Sequence, residues 1–187
     1  SNDPTIDDTF KKLVINGSGA SLSENASCTC LIIDSAADLD LSNNDINIKN
    51  DANISGTLIA NSSRIGFNGE VNQNINGNGF TAADLVVDND NQLNLSLNAS
   101  ERIEITNLVD VQNATLNTND VLTLKSTASN TAQIGEINGS SAITGDITVE
   151  RYFPARRAFR LVSPSVSTTS SINSNWQEGV NNTGTNF

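Results

Sequence analysis

The sequence predicts an all-β fold, a parallel β-helix or solenoid, from three observations: an aliphatic core alphabet, short strands of strict alternation, and a block of strands that recurs along the chain. Right-handed coiling is expected, because parallel crossovers are strongly biased that way. An antiparallel β-sandwich also produces many short alternating strands and is the alternative.

The core alphabet follows from composition. Apolar residues make up 36% of the chain but aromatics only 4%, and Met and His are absent. Val, Ile, Leu and Ala must therefore form the interior, which suits a stack of thin coils better than a globular enzyme. Without histidine no Ser-His-Asp or Cys-His arrangement can be assembled, leaving carboxylates and Arg as acid, base or electrostatic groups. Asp38 with Asp40, and Glu101 with Glu104, sit in ordinary alternating strands and read as a solvated face. No catalytic residue is assigned, and the chain is expected to be non-enzymatic.

Charge narrows the partners. The formal net charge is −11, so phosphate backbones and anionic membrane surfaces repel most of the molecule and no nucleic-acid partner is expected. No apolar run approaches the roughly 18 residues that a membrane span needs.

Alternation is clearest in Asp38-Leu39-Asp40-Leu41, Asp45-Ile46-Asn47-Ile48, Arg64-Ile65-Gly66-Phe67, Asn94-Leu95-Ser96-Leu97, Arg102-Ile103-Glu104-Ile105 and Asp146-Ile147-Thr148-Val149. Between such strands lie short runs of Asn, Ser, Gly, Asp and Ala, the chemistry of tight turns. Outward Asp, Asn, Ser and Thr are expected to stack as polar ladders.

The recurrence adds spacing. Leu31-Ile32-Ile33-Asp34 matches Leu85-Val86-Val87-Asp88, and Asp38-Leu39-Asp40-Leu41-Ser42 matches Gln92-Leu93-Asn94-Leu95-Ser96, both at a shift of 54. Ile46 and Ile48 match Ile103 and Ile105, and Ile65-Gly66-Phe67 matches Leu122-Thr123-Leu124, at a shift of 57. With coils of about 18–20 residues, each shift is expected to be three whole coils.

Two local features could carry chemistry. Cys28 and Cys30 lie two apart, which leaves open a strained local disulfide, two buried thiols or an intermolecular bridge. Zinc is not expected, because no histidine or second Cys pair completes a tetrahedral site. In the turn Asp88-Asn89-Asp90-Asn91, Asp88 and Asp90 are hard oxygen ligands of the kind Ca²⁺ takes, although turn chemistry explains them without a metal. Calcium is the one cofactor candidate.

Composition shifts near residue 150: residues 1–150 hold six Lys and Arg against twenty Asp and Glu, whereas residues 151–187 hold four Arg against Glu178 alone. The solenoid is therefore assigned to 1–150, and 151–187 to a capping segment or the beginning of a truncated C-terminal β module. Ser1 opens no signal peptide, and the end at Phe187 reads as a cut. In the second region Arg151, Tyr152, Arg156, Arg157, Phe159, Arg160 and Trp176 are candidates to pair with the acidic coils and seal the last of them.

This stretch carries a resemblance. Gly145-Asp146-Ile147-Thr148-Val149-Glu150-Arg151-Tyr152, then Arg157-Ala158-Phe159-Arg160-Leu161-Val162-Ser163-Pro164, then Asn175-Trp176-Gln177-Glu178-Gly179 is similar to a module of repetitive β-helical surface proteins of Bacteroidota, such as the flavobacteria. Members of that group are secreted by the type IX secretion system. The resemblance implies passage through that translocon, an extracellular or outer-cell-surface address, and roles in adhesion, gliding motility or a structural stalk, with surface glycans or other proteins as partners. It also makes Ser35, in Asp34-Ser35-Ala36, an O-glycosylation candidate. The alternative functions are a carbohydrate-binding or polysaccharide-degrading β-helix and a self-assembling extracellular filament subunit.

Overall fold

The computed structural model describes Lys12–Pro154 together with Ser167 and Thr169, the side chains of residues 90–92 aside. The chain divides into two compact units, Ser1–Pro154 and Ala155–Phe187. All the strands described belong to the first.

In chain order these strands are β1 (Lys12–Ile15), β2 (Ala20–Ser21), β3 (Ala26–Cys28), β4 (Cys30–Ile33), β5 (Asp38–Asp40), β6 (Ile46–Ile48), β7 (Ala52–Ile54), β8 (Thr57–Phe67), β9 (Gln73–Gly77), β10 (Thr81–Ala99), β11 (Ile103–Asn117), β12 (Leu122–Leu124), β13 (Gln133–Ile134), β14 (Ala142–Thr144) and β15 (Ile147–Val149). Every pairing between them is parallel. That excludes the antiparallel sandwich. The fold is a β-solenoid of about six turns with three strand positions per coil.

The three positions stack as three faces. The first runs β1, β4, β7, β9 and the ends of β10 and β11 to β14; the second runs β2, β5, the start of β8, and then the starts of β10 and β11, β12 and β15. The third runs β3, β6, the end of β8, the middles of β10 and β11, and β13. The long strands β8, β10 and β11 each turn a corner without breaking; register shifts between Ala82 and Asp84, and between Asp88 and Leu93, mark the bends in β10.

Alternation places the core as expected. On the third face Ala26, Ile46, Ile65, Leu85 and Val109 form one inner column and Cys28, Ile48, Phe67, Val87 and Val111 its neighbour, all buried. Each such Leu, Ile, Val or Phe contributes about 1.5–3 kcal/mol by leaving water. Outward amides form the expected ladders: Asn76 Nδ2 donates to Asn53 Oδ1 (3.0 Å), Asn98 Nδ2 to Asn74 Oδ1 (2.9 Å) and Asn119 Nδ2 to Asn98 Oδ1 (2.7 Å).

The recurrence is real, but its phase differs from expectation. Leu31 pairs with Leu13 and Ala52 on the first face, whereas Leu85 pairs with Ile65 and Val109 on the third. Leu39 is on the second face and its match Leu93 on the first; Ile46 and Ile65 are on the third, and their matches Ile103 and Leu122 on the second. Each shift thus advances eight strand positions, one short of three coils. The cause is coil size. On the first face the coils from Leu31 to Ala52, from Ala52 to Ile75 and from Ile75 to Leu97 are all longer than the opening coil from Leu13 to Leu31, so a shift of 54 falls short of three turns.

Candidate functional site

Coil six is the longest, running from Leu116 to its partner Ile143. Its third-face strand β13 is only two residues long, and after Gly135 N–H donates to the Val109 carbonyl (2.8 Å) the chain leaves the stack. It returns at β14, after a turn in which Ser141 N–H donates to the Asn138 carbonyl (3.1 Å) and Gly139 takes φ +62°.

Between this excursion and the corner of β11 lies a cleft of about 410 Å³, lined by Asp110, Val111, Gln112, Asn113, Glu136, Asn138 and Ser141. Asp110 projects outward, in register with Val86, and accepts a hydrogen bond from Gln112 Nε2 at 2.7 Å. Asn113 turns the corner at φ +51°, which Asn tolerates better than most residues, and its Nδ2 donates to Asp88 Oδ1 at 3.3 Å. The lining thus offers two carboxylates, three side-chain amides and a hydroxyl, with no cation among them. Such a set accepts hydrogen bonds from hydroxyl groups and favours neutral or cationic ligands over anions.

The residues singled out from the sequence are scattered. Asp38 Oδ2 accepts from Gly19 N–H (2.8 Å) and Asp40 Oδ1 from Ser42 N–H (2.7 Å), so both serve turns. Glu101 is exposed, while Glu104 accepts from Thr81 Oγ1 (3.2 Å) and Lys125 Nζ (3.1 Å). Asp88 is exposed at the cleft corner through its bond to Asn113, and the side chain of Asp90 lies outside the description. Among the described residues no group of three or more His, Cys, Asp or Glu is placed to hold a metal. Ser35 is exposed on the turn between β4 and β5, beside Ala36 at φ +67°.

Both cysteines are free thiols. A bend at Thr29 puts Cys28 at the end of β3, inside, and Cys30 at the start of β4, half-buried and outward beside Lys12. Burial, with a smaller contribution from Cys30, pushes the Cys28 thiol up to about 12. Arg151 and Tyr152 are exposed, and Tyr152 N–H donates to Ser126 Oγ (3.0 Å). Arg156, Arg157, Phe159, Arg160 and Trp176 lie outside the described residues.

Sequence reasoning missed the cleft. Its one advance signal was the unusual run of turn-forming residues between Ile134 and Ala142, longer than a solenoid corner needs.

No family model, curated protein or solved structure matches this chain. Among the described residues no helix is long and apolar enough to cross a membrane.

Proposed function

We propose that the chain is a non-enzymatic structural or adhesive segment of a secreted surface protein, a stiff spacer displayed outside the cell after export by the type IX route. The observation that carries the mechanical part is the parallel register that runs on each face from the first coil to the last. Every coil is hydrogen-bonded to the next on three sides, giving a rod that rises roughly 4.8 Å per coil, about 30 Å in all. The address rests on the resemblance of the stretch after Gly145. Antibody labelling of intact source cells tests it: surface signal that disappears when the type IX translocon is disabled is expected, and signal confined to the cytoplasm overturns it. Glycan hydrolysis by the purified chain would overturn the non-enzymatic reading.

The cleft favours a second reading, glycan binding. Its amides, carboxylates and hydroxyl suit sugar hydroxyls, and its volume is that of a small-molecule site. A glycan array checks this: binding that is lost in both Asp110→Asn and Asn113→Ala supports it, and binding unchanged by either removes the cleft from consideration.

A further inference from the structure

The sequence contains five Asn-Gly steps, at Asn16, Asn68, Asn76, Asn78 and Asn138. Asn-Gly is the dipeptide most prone to self-modification, because glycine leaves its own backbone nitrogen unshielded and conformationally free to reach the preceding side chain. Locally the five are alike. The solenoid makes them different.

At Asn76 the side-chain amide is held in the outward ladder, donating to Asn53 Oδ1 (3.0 Å). At Asn78 it donates to two backbone carbonyls, Ser55 (3.0 Å) and Gly56 (2.9 Å). At Asn68 the nucleophile is restrained instead: Gly69 is buried and its N–H donates to Asn89 Oδ1 at 2.9 Å. Asn138 has none of these restraints. It is exposed, its side chain makes no hydrogen bond among the described residues, and Gly139 is exposed in a turn at φ +62° with nothing near the position of a Cβ. Asn16 is likewise exposed, with a side chain unbonded among the described residues, and Gly17 has open space around it.

We infer that Asn138 is a self-modification site, converting to aspartate and isoaspartate and so placing a third carboxylate in the cleft with Asp110 and Glu136, with Asn16 as a second such site. In the step, the Gly139 nitrogen attacks Cγ of Asn138 and forms a five-membered imide. The bond from Cγ to the side-chain nitrogen breaks, and ammonia leaves with the proton that Gly139 gives up. Water then opens the imide at either carbonyl, so one water is consumed and one ammonia released. The consequence is a cleft whose negative charge rises with the age of the protein, weakening its hold on any anionic ligand further and strengthening it for a cationic one.

The test is incubation of the folded chain at mildly alkaline pH in isotopically labelled water, followed by peptide mapping. Label is expected at Asn138 and Asn16 first. Asn76 and Asn78 should lag by about tenfold or more, because freeing each amide breaks one or two net-favourable hydrogen bonds, and Asn68 should lag behind its buried nitrogen. In denaturant the five rates should converge, which separates the role of the fold from that of the dipeptide. Equal rates at Asn76 and Asn138 in the folded chain, or label at Asn68 before Asn138, would overturn the inference. Asn138→Gln serves as the variant that keeps the amide and should stop labelling at that position alone.

Discussion

The ammonium of Lys125 stands 2.7 Å from the Glu150 carboxylate and joins the end of β12 to the end of β15, one coil further on. The same nitrogen lies 3.1 Å from Glu104 Oε1, so one cation ties together three successive levels of the second face. Beside it Arg102 donates to Thr123 Oγ1 (3.1 Å) and Thr148 Oγ1 (2.7 Å). The hydrogen bond to Glu150, and more weakly that to Glu104, raises the pKa of Lys125 against the opposing effect of burial. For Glu150, burial pulls upward, but the bonds from Lys125 and the Ser126 N–H outweigh it and leave the carboxyl below its ordinary 4.5.

This clamp predicts acid loosening of the last coil. A carboxyl whose pKa is lowered by folding contributes stability that is present above 4.5 and is lost as pH falls through the folded value, because the unfolded segment takes up the proton first. With the partners partly solvated, each ion pair is worth about 0.5 kcal/mol. The protection of β15 amides against hydrogen exchange, taken relative to the intrinsic rate at each pH, should therefore fall below that pH, while that of β6 and β7 is unchanged. Lys125→Met should speed β15 exchange at neutral pH and flatten its acid dependence.

Phe67 is fully buried in the third-face column between Ile48 and Val87. Phe67→Ala should cost about 3–5 kcal/mol and Ile65→Val only about 0.5–1.5 kcal/mol, measured by denaturant unfolding. A smaller loss for Phe67→Ala than for Ile65→Val would mean that the column does not pack as described.

Gly77 closes the first face at φ +94°, and a Cβ there would collide with the Ile54 carbonyl oxygen of the coil before. Gly77→Ala should cost more than the roughly 1–3 kcal/mol of a strained backbone alone. Gly139→Ala, which shares the positive φ but has open space around it, should fall within that range. The comparison of their melting temperatures isolates the contact between coils.

Thiol labelling should separate the two cysteines. At pH 8 a thiol raised to about 12 is almost entirely protonated, and Cys28 is also shielded from solvent. In the folded chain iodoacetamide should modify Cys30 first, and both should react at similar rates once the chain is denatured. Equal rates in the folded state would place Cys28 nearer the surface than the third-face column allows.

Much of the architecture could be read before any coordinates. Alternation alone assigns Leu39, Ile46, Ile48, Ile65 and Ile103 to the interior and Asp38, Asn47, Arg64 and Glu104 to the outside, and the structure agrees. Polar residues inside the stack escaped that logic. Gln73 is buried because its Nε2 donates to the Ile48 and Asn50 carbonyls, and Asn89 because its Oδ1 accepts from Gly69 N–H. Both satisfy backbone groups at a corner, a demand set by the neighbouring coil rather than by the local sequence. The cleft was hidden for a related reason: a full coil of chain separates Asp110 from Glu136, and only the excursion of coil six brings them to one opening.

By itself the sequence determined that this protein is a stack of short strands, which aliphatic residues of the alternating strands face inward, and that a block of strands recurs. A period of two is a property of each strand, fixed by covalent geometry, so no partner is needed to read it. Which face a strand joins was decided only by the tertiary structure. All three faces carry the same alternation, and coils of unequal length differ in their corners and in the excursion before β14, so the phase of the repeat emerges only when each strand finds its parallel neighbour. That is why Leu31 and Leu85, alike in sequence, end on different sides of the solenoid.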